Sequence, residues 1–357
     1  MIPMPREDTP IWTDDEDLEC VMVVPEAPDV KSFVFRPPSG ATFLFRAGQF
    51  VTLDLPVPGG IVQRTFTISS SPTSNVYLSV TVKAQAGSVG GRWMLDHLVP
   101  GVRIRARGPS GVFHLPRQPD GKYLFIGAGS GVTPMMSMAA FLFERGEEPD
   151  INFIACARRP GELIFRKRLE YMASRVQGLK LHFVVGREDP YEVWTGYRGR
   201  FNQLMLGLMA PDYLDRDVYC CGPESFMQAV RDMLNALGYN MDRYHQESFH
   251  APATRLAEVP EIHDLVPQED ILAELVFTGA GVSRSCAQTD TVLAVAKASG
   301  LNIPSGCNFG VCGTCKVHKR AGEVHMVHNG GISDEDIEAG YILACCSHPI
   351  GRVEVEV

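Results

Sequence analysis

Ser305-Gly306-Cys307-Asn308-Phe309-Gly310-Val311-Cys312-Gly313-Thr314-Cys315 spaces three cysteines as C-x4-C-x2-C, and a fourth follows at Cys345. This is the plant-type spacing of a 2Fe–2S cluster, in which four thiolates converge on two irons. Gly306, Gly310 and Gly313 let the backbone turn close to such a cluster and aim amides at its sulfurs. Zinc competes for a C-x2-C pair, but a tetrahedral site needs no third cysteine upstream in a glycine-punctuated loop. A one-electron centre at one end of the chain implies an electron source elsewhere in it.

The 357 residues are too many for one ordinary core and suggest two or three domains. The net charge of −9 gives no basic surface for nucleic acid. Ten cysteines would suit a secreted disulfide scaffold, yet the chain opens Met-Ile-Pro-Met-Pro-Arg-Glu-Asp, with no basic and then apolar signal segment, so the cytoplasm is expected. The charge-free run from Tyr123 to Phe143 is long enough to raise a membrane span. Gly127, Gly129, Gly131 and Pro134 break it into a strand, a turn and a helix start, and a soluble protein with no membrane partner is expected.

After a polar leader over 1–16, short strand-like runs recur from Leu18 to about Leu115, separated by Pro37-Pro38 and Pro58-Gly59-Gly60. Their spacing predicts an antiparallel β-barrel. Within it lies Arg64-Thr65-Phe66-Thr67-Ile68-Ser69-Ser70. A flavin needs an aromatic face, a hydroxyl near N5 and a cation for its diphosphate, which Phe66, Thr67 and Arg64 would supply. The same segment also reads as plain sheet surface, since strands favour such residues.

From Tyr123 the period changes. A buried strand leads into Gly127-Ala128-Gly129-Ser130-Gly131-Val132-Thr133-Pro134 and then an apolar helix. Glycine lets backbone approach a phosphate, and a helix start directs unpaired N–H groups at it. The turn departs from G-x-G-x-x-G, with Pro134 in the third glycine position. Strand and helix patterns then alternate to Leu237, predicting a parallel sheet with helices on both faces. Cys220-Cys221-Gly222-Pro223-Glu224 ends the last such strand at the carboxyl edge, where ligands of these sheets lie. Disulfide, zinc and nucleophile roles are disfavoured there, because adjacent cysteines bridge poorly and no histidine pattern or neighbouring base is present.

Taken in order, Arg64-Thr65-Phe66-Thr67, the Gly127 to Pro134 loop and Cys221-Gly222-Pro223 resemble the ferredoxin–NADP reductase superfamily. With the C-terminal cysteine loop, the chain is similar to reductase components of Rieske non-haem iron oxygenases, particularly those serving quaternary amines such as glycine betaine, carnitine or stachydrine. The resemblance implies a multidomain chain: an FAD-binding β-barrel over 17–116, an α/β NAD(P)-binding domain over 117–250, a linker over 251–270 and a β-grasp ferredoxin domain over 271–357.

It also implies roles. Arg64 would hold the flavin diphosphate, Phe66 would lie against the ring and Thr67 would stand near N5, with Ile68 and Ser69 beside it. Val82, Lys83, Gly90, Gly91 and Arg92 would complete the flavin site, Gly91 standing where the family commonly has a serine just before a helix, so that backbone amides serve there. Phe249, after Glu247 and Ser248, would cap the other flavin face. Gly129, Ser130, Gly131, Val132 and Thr133 would take the nicotinamide nucleotide, together with Arg158, Cys221, Gly222 and Pro223. Thr67, Cys221 and Glu247 would surround the reacting atoms. Alignment with the ferredoxin ending makes Cys345 the fourth cluster ligand beside Cys307, Cys312 and Cys315, leaving Cys346 as an ordinary buried thiol. FAD over FMN, and NADH over NADPH, follow from the family; Arg158-Arg159 would suit a 2′-phosphate, and so would a solvated helix face.

Nicotinamide donates two electrons together and an iron–sulfur cluster accepts one at a time, so the expected function is passage from NADH through FAD and the cluster to a partner Rieske oxygenase. A reductase for a hybrid-cluster protein or another iron enzyme, and a redox-sensing protein without turnover, are the alternatives. In the last domain a helix from Thr291 to Ser299, capped by Asp290, precedes the cluster loop, and strands are expected at Lys316 to Lys319, Ile342 to Ala344 and Arg352 to Val357.

Overall fold

The runs of Val, Phe and Leu between proline and glycine breaks form β1 (Leu18–Ala27), β2 (Val30–Arg36), β3 (Phe50–Val57), β4 (Gly60–Thr67) and β5 (Leu78–Lys83), then helix α1 (Val89–His97) and the short β6 (Arg103–Ile104) and β7 (Ala106–Ser110). The computed structural model describes residues 10–13, 16–84, 87–116, 119, 121–146, 148–249, 271–305, 310, 313–328 and 331–357. Two sheets, ordered β5-β2-β1-β6 and β4-β3-β7, are joined by an antiparallel bridge between Ile68 and Val80. Period-two alternation sends Phe33, Phe35, Leu78 and Val80 into a core shared with Leu53 and Leu55. The opposite face carries Ser32 and Thr81, whose hydroxyls bond at 2.7 Å across the paired strands β2 and β5.

The leader expectation is corrected over its described part. Trp12 is buried in the barrel core against Phe43, at 5.5 Å between rings; its backbone N–H donates to the Thr42 carbonyl and its indole N–H to the Glu16 carbonyl. An indole of that size stabilises through burial, so this short segment belongs to the barrel.

β8 (Lys122–Ala128), α2 (Val132–Glu144), β9 (Asp150–Ala157), α3 (Arg166–Arg175), β10 (Leu179–Val185), β11 (Tyr197–Arg198), α4 (Gln203–Met209), β12 (Asp217–Cys221), α5 (Glu224–Ala236) and β13 (Tyr244–Glu247) follow. Their sheet is ordered β11-β10-β9-β8-β12-β13, and every pairing in it is parallel. Burial on both faces explains the near-continuous apolar strands: Phe125, Phe153 and Tyr219 enter one core, Leu124, Ile126 and Ile154 the other. The order reverses direction beside β8, which puts a crevice at the carboxyl ends of β8 and β12. At the amino edge, Arg216 is 1% exposed and bonds Asp212 at 2.8 Å, Asp150 at 2.7 Å and the Tyr123 carbonyl at 3.2 Å. A buried guanidinium persists only with such partners, and it ties β8, β9 and β12 together away from the crevice.

Barrel and nucleotide sheet form one compact unit, and the C-terminal sheet forms a second. Within the first, the Ser137 hydroxyl on α2 donates to the Ser70 carbonyl just after β4 at 2.6 Å. The second comprises β14 (Leu272–Phe277), β15 (Val282–Ala287), α6 (Val292–Ala298), β16 (Lys316–Met326), α7 (Asp334–Glu338), β17 (Tyr341–Leu343) and β18 (Ser347–Glu356). Its order is β15-β14-β18-β16-β17, with β14 and β18 parallel and the other neighbours antiparallel, the β-grasp arrangement. α6 closes the core with Val292, Val295 and Ala296. Its N-cap is Thr291, whose hydroxyl accepts from Ala294 N–H, correcting the expected Asp290 cap; the Asp290 carboxylate accepts from Ala287 N–H instead. β16 and β18 run longer than expected because their paired edge continues through irregular register at Ala321. The expected linker over 251–270 lies outside the described residues.

Candidate flavin, nucleotide and cluster sites

Parallel pairing of β12 with β13 sets Cys221 opposite Glu247, and pairing with β8 sets Cys221 opposite Gly127. Both side chains are buried at the carboxyl edge of the sheet. The Glu247 carboxyl lies near enough to Thr67, the last residue of β4, for that side chain to lower its pKa, so the barrel and the nucleotide sheet meet at this group. Burial raises the Glu247 pKa to about 8, partly offset by Thr67. At neutral pH it is a carboxylic acid, a proton donor as well as an acceptor. Its Oε2 is buried with no partner among the described residues, a polar atom left for a ligand. Burial likewise pushes the Cys221 thiol well above its ordinary value, with Glu247 adding to the effect, so Cys221 is a neutral, polarizable surface and no nucleophile.

The loop after β8 reaches the same place. Gly129 adopts φ +57°, which favours glycine. Gly131 has ordinary dihedrals but no spare volume: a Cβ there would lie 2.2 Å from the Cys221 carbonyl oxygen. Thr133 is buried and donates to the Ser130 carbonyl at 2.9 Å, fixing the turn. Val132 packs inward, and Pro134 sits in the first turn of α2, where its missing N–H leaves no bond unmade. Pro223 caps α5, and Gly222 lies against Ala128, where a Cβ would come within 3.0 Å. Arg158 stands exposed just past β9.

On the barrel, Arg64 is exposed on β4, and its Cγ would come within 3.0 Å of a Cβ at Gly90 in the first turn of α1. A guanidinium thus adjoins a helix start with unpaired N–H groups, a pairing suited to phosphate. The serine before the helix is present, correcting the expected substitution: Ser88 is the N-cap and accepts from Gly91 N–H at 3.2 Å, while Gly91 lies inside the first turn. Phe66 is half-buried against the barrel core. Ile68 and Val82 are core side chains and have only backbone to offer. The Ser69 hydroxyl bonds Thr81 at 2.8 Å. Lys83 pairs with Glu162 at 3.5 Å, and Arg92 is held by Asp29 and Asp96, so both cations already have carboxylate partners. Phe249 is half-buried beside the aromatic core of the nucleotide sheet.

In the C-terminal unit, the Cys345 N–H donates to Cys315 Sγ at 3.4 Å and the Gly310 N–H donates to Cys345 Sγ at 3.3 Å. Sulfurs that accept amide hydrogens suit thiolates bearing charge toward iron. Gly310 itself has φ +74°, as a loop turning around a cluster requires. Cys346 Sγ donates to the Leu343 carbonyl at 3.7 Å and also stands against Gly310, where a Cβ would lie 2.8 Å from it; the residue is half-buried, a correction to the expected buried thiol. Cys307 and Cys312 lie outside the described residues.

Three family descriptions match in chain order: oxidoreductase FAD-binding domain over residues 20–115, oxidoreductase NAD-binding domain over 125–232, and 2Fe-2S iron-sulfur cluster binding domain over 276–349. The stachydrine N-demethylase reductase subunit of Rhizobium meliloti is 60% identical over 97% of this chain and 97% of its own length. The chain belongs to the ferredoxin–NADP reductase superfamily. Within it, the glycine betaine monooxygenase reductase subunit of Pseudomonas aeruginosa is 42% identical over 98% of this chain and 97% of its own. Among solved structures, phthalate dioxygenase reductase superposes with a TM-score of 0.61 at 23% identity, covering 97% of this chain and 100% of that one, a likeness of fold. This superfamily member is an NAD(P)H-dependent oxidoreductase, a reductase component with FAD and 2Fe–2S domains that serves an oxygenase system. No described helix is long and apolar enough to cross a membrane.

Proposed function

We propose that this reductase draws electrons from NADH in the cytoplasm and delivers them to a Rieske-type terminal oxygenase acting on a quaternary amine. The meeting of Thr67, Glu247 and Cys221 between barrel and nucleotide sheet carries the reading at the residue level. The likeness to the stachydrine and glycine betaine reductase subunits supports the amine class.

Bound FAD would supply the change from paired to single electrons, and the four-cysteine cluster the one-electron exit. The residues present fit both groups. Arg64 and the first turn of α1 would hold the diphosphate, and Phe66 and Phe249 would present apolar faces to the ring. Glu247, neutral at pH 7, holds its proton in a buried site and adds no charge where a hydride must arrive. The Thr67 side chain stands beside that carboxyl and favours its charged form, an effect smaller than that of burial. Cys221 fills the floor with a neutral thiol, and the close approach of Gly131 lets the nucleotide loop sit against it. The nicotinamide would then be placed by packing, with no acid or base required to move the hydride. Cys315 and Cys345 would ligate iron with their charge moderated by the Cys345 and Gly310 amides.

Anaerobic titration of the purified holoprotein with NADH, followed by absorbance, tests the reading. Bleaching of both flavin and cluster bands, and turnover by an added quaternary-amine oxygenase, are expected. A colourless protein, or one that bleaches yet supports only oxygenases of other classes, overturns it.

A further inference from the structure

A row of buried hydroxyls lines the face of the barrel that borders the nucleotide loop. The Ser69 hydroxyl bonds that of Thr81 at 2.8 Å, Thr81 bonds Ser32 at 2.7 Å, and Ser32 donates to the Glu26 carboxylate on β1 at 2.6 Å. Ser32, Thr81 and Ser69 are buried, and Glu26 is half-buried. Strand pairing builds the row. Ser32 on β2 stands directly opposite Thr81 on β5, and the Ser69 N–H holds the Ser79 carbonyl of the same strand at 2.8 Å. β5 also lies against the turn at Gly129–Gly131.

The carboxylate gives the row a direction. An ionised carboxylate can only accept, so Ser32 donates to it and accepts from Thr81, which in turn accepts from Ser69. Each hydroxyl can then take a proton on a lone pair while passing its own along, and bonds of one polarity reinforce one another. Ser79, 3.1 Å from Ser69, is a side branch. Burial holds the Glu26 carboxyl above its ordinary value, opposed by Ser32 and by Arg168 of α3, and a raised value makes the anion a better proton acceptor. At the other end, Thr67 and Ser69 flank Ile68, whose side chain enters the barrel core. Both hydroxyls therefore turn to the opposite face, about 6.6 Å apart along an extended strand, a span that one bridging water covers.

Oxidation of one NADH to NAD⁺ yields two electrons and one proton. The electrons leave through iron, and the proton, brought in with the hydride, must leave through protein. Glu247 already holds a proton at neutral pH and is no acceptor there. We propose that Ser69, Thr81 and Ser32 relay this proton from the flavin pocket beside Thr67 to the Glu26 carboxylate, which releases it to solvent. The inference rests on the reading of the Thr67 strand as the flavin site. In the transfer, the O–H bond of each hydroxyl breaks toward Glu26 as a new one forms from the pocket side, so no hydroxyl is left charged and no electron moves.

The test mixes NADH-reduced holoprotein with ferricyanide in weakly buffered medium containing a pH indicator, and follows the same reaction by time-resolved infrared spectroscopy. Proton release should slow roughly tenfold or more in Thr81→Val, which keeps the shape and loses the hydroxyl, and in Glu26→Gln, while Thr81→Ser stays near native. The native protein should show a transient carboxylic-acid carbonyl band that Glu26→Gln abolishes. Bleaching of the flavin by NADH, which needs no proton to depart, should stay within about twofold in each variant, a split that a merely structural role would not give. Native rates of proton release in both Thr81→Val and Glu26→Gln overturn the inference, as does a carbonyl band that survives Glu26→Gln and vanishes in Glu247→Gln. Equal loss of bleaching and of proton release in the variants also overturns it. Failure of NADH to bleach the native holoprotein would instead overturn the proposed function.

Discussion

Glu247 is the residue on which chemistry and stability meet. Its folded pKa, raised to about 8 by burial, stands above the unfolded value of roughly 4.3. Between these limits the unfolded chain has released the proton and the folded chain keeps it. The contribution to stability is therefore complete below about pH 4 and declines as pH rises toward about 8, by at most ~1.4 kcal/mol per pH unit. Glu247→Gln keeps the shape and removes the titration. Unfolding temperatures measured from pH 5 to 9 should fall more steeply in the native protein than in the variant, and parallel curves would contradict the assignment. The same ionisation should slow flavin reduction by NADH above about pH 8 in the native protein, because an anion then faces the incoming hydride; stopped-flow rates for the glutamine variant should lack that limb. Little of this was legible from the sequence. Thr67 and Cys221 stand in recognisable strands, but the burial that shifts Glu247 comes from β13 lying beside β12 and under the barrel, a long-range fact that local pattern does not carry.

At the scale of elements, the strand–turn–helix from β8 to α2 was readable because glycines and a proline interrupt an apolar run, and those residues have local causes. Gly129 needs a left-handed backbone. Gly131 needs emptiness, and the reason is another strand: its missing Cβ makes room for the Cys221 backbone. Gly131→Ala should therefore force β12 and the nucleotide loop apart, costing about 1–3 kcal/mol in stability and weakening NADH binding while kcat at saturation falls less. Thermal unfolding and the NADH titration curve measure the two parts, and an alanine variant with native values for both would show that the approach is looser. α1 illustrates the opposite case. Its start was expected after Gly91, and the capping serine was missed, because Ser88 is separated from the Gly91 N–H it accepts by a valine and a glycine that look like loop. The Trp12 segment was missed for a similar reason. One indole among polar residues has no periodicity, and its burial depends on pairing with Thr42, far along the chain. Trp12→Ala should cost about 3–5 kcal/mol, read as a lowered urea midpoint with unchanged slope.

For the whole molecule, the architecture of two compact units separates two redox tasks that a single experiment can pull apart. The C-terminal cysteine spacing was legible because ligand geometry is local in sequence, but the choice between Cys345 and Cys346 was left to resemblance. The two sulfurs differ in their partners: the Cys345 thiol accepts the Gly310 amide and the Cys345 N–H reaches Cys315 Sγ, while Cys346 Sγ bonds the Leu343 carbonyl and stands against Gly310, so serine variants decide between them. Cys345→Ser should abolish the cluster absorbance, and Cys346→Ser should retain it. Because the flavin and nucleotide residues lie in the other unit, NADH-driven ferricyanide reduction should survive Cys345→Ser within about twofold, the range expected when the flavin site itself is untouched. Delivery to the oxygenase, whose electrons must leave singly, should stop. If the variant is folded and loses both activities together, reduction of the flavin itself would depend on the cluster domain, and the proposed order of transfer from nicotinamide through flavin to iron would be contradicted. If it loses neither, electrons would reach the oxygenase directly from the flavin, and the attached iron–sulfur domain would have some task other than transfer.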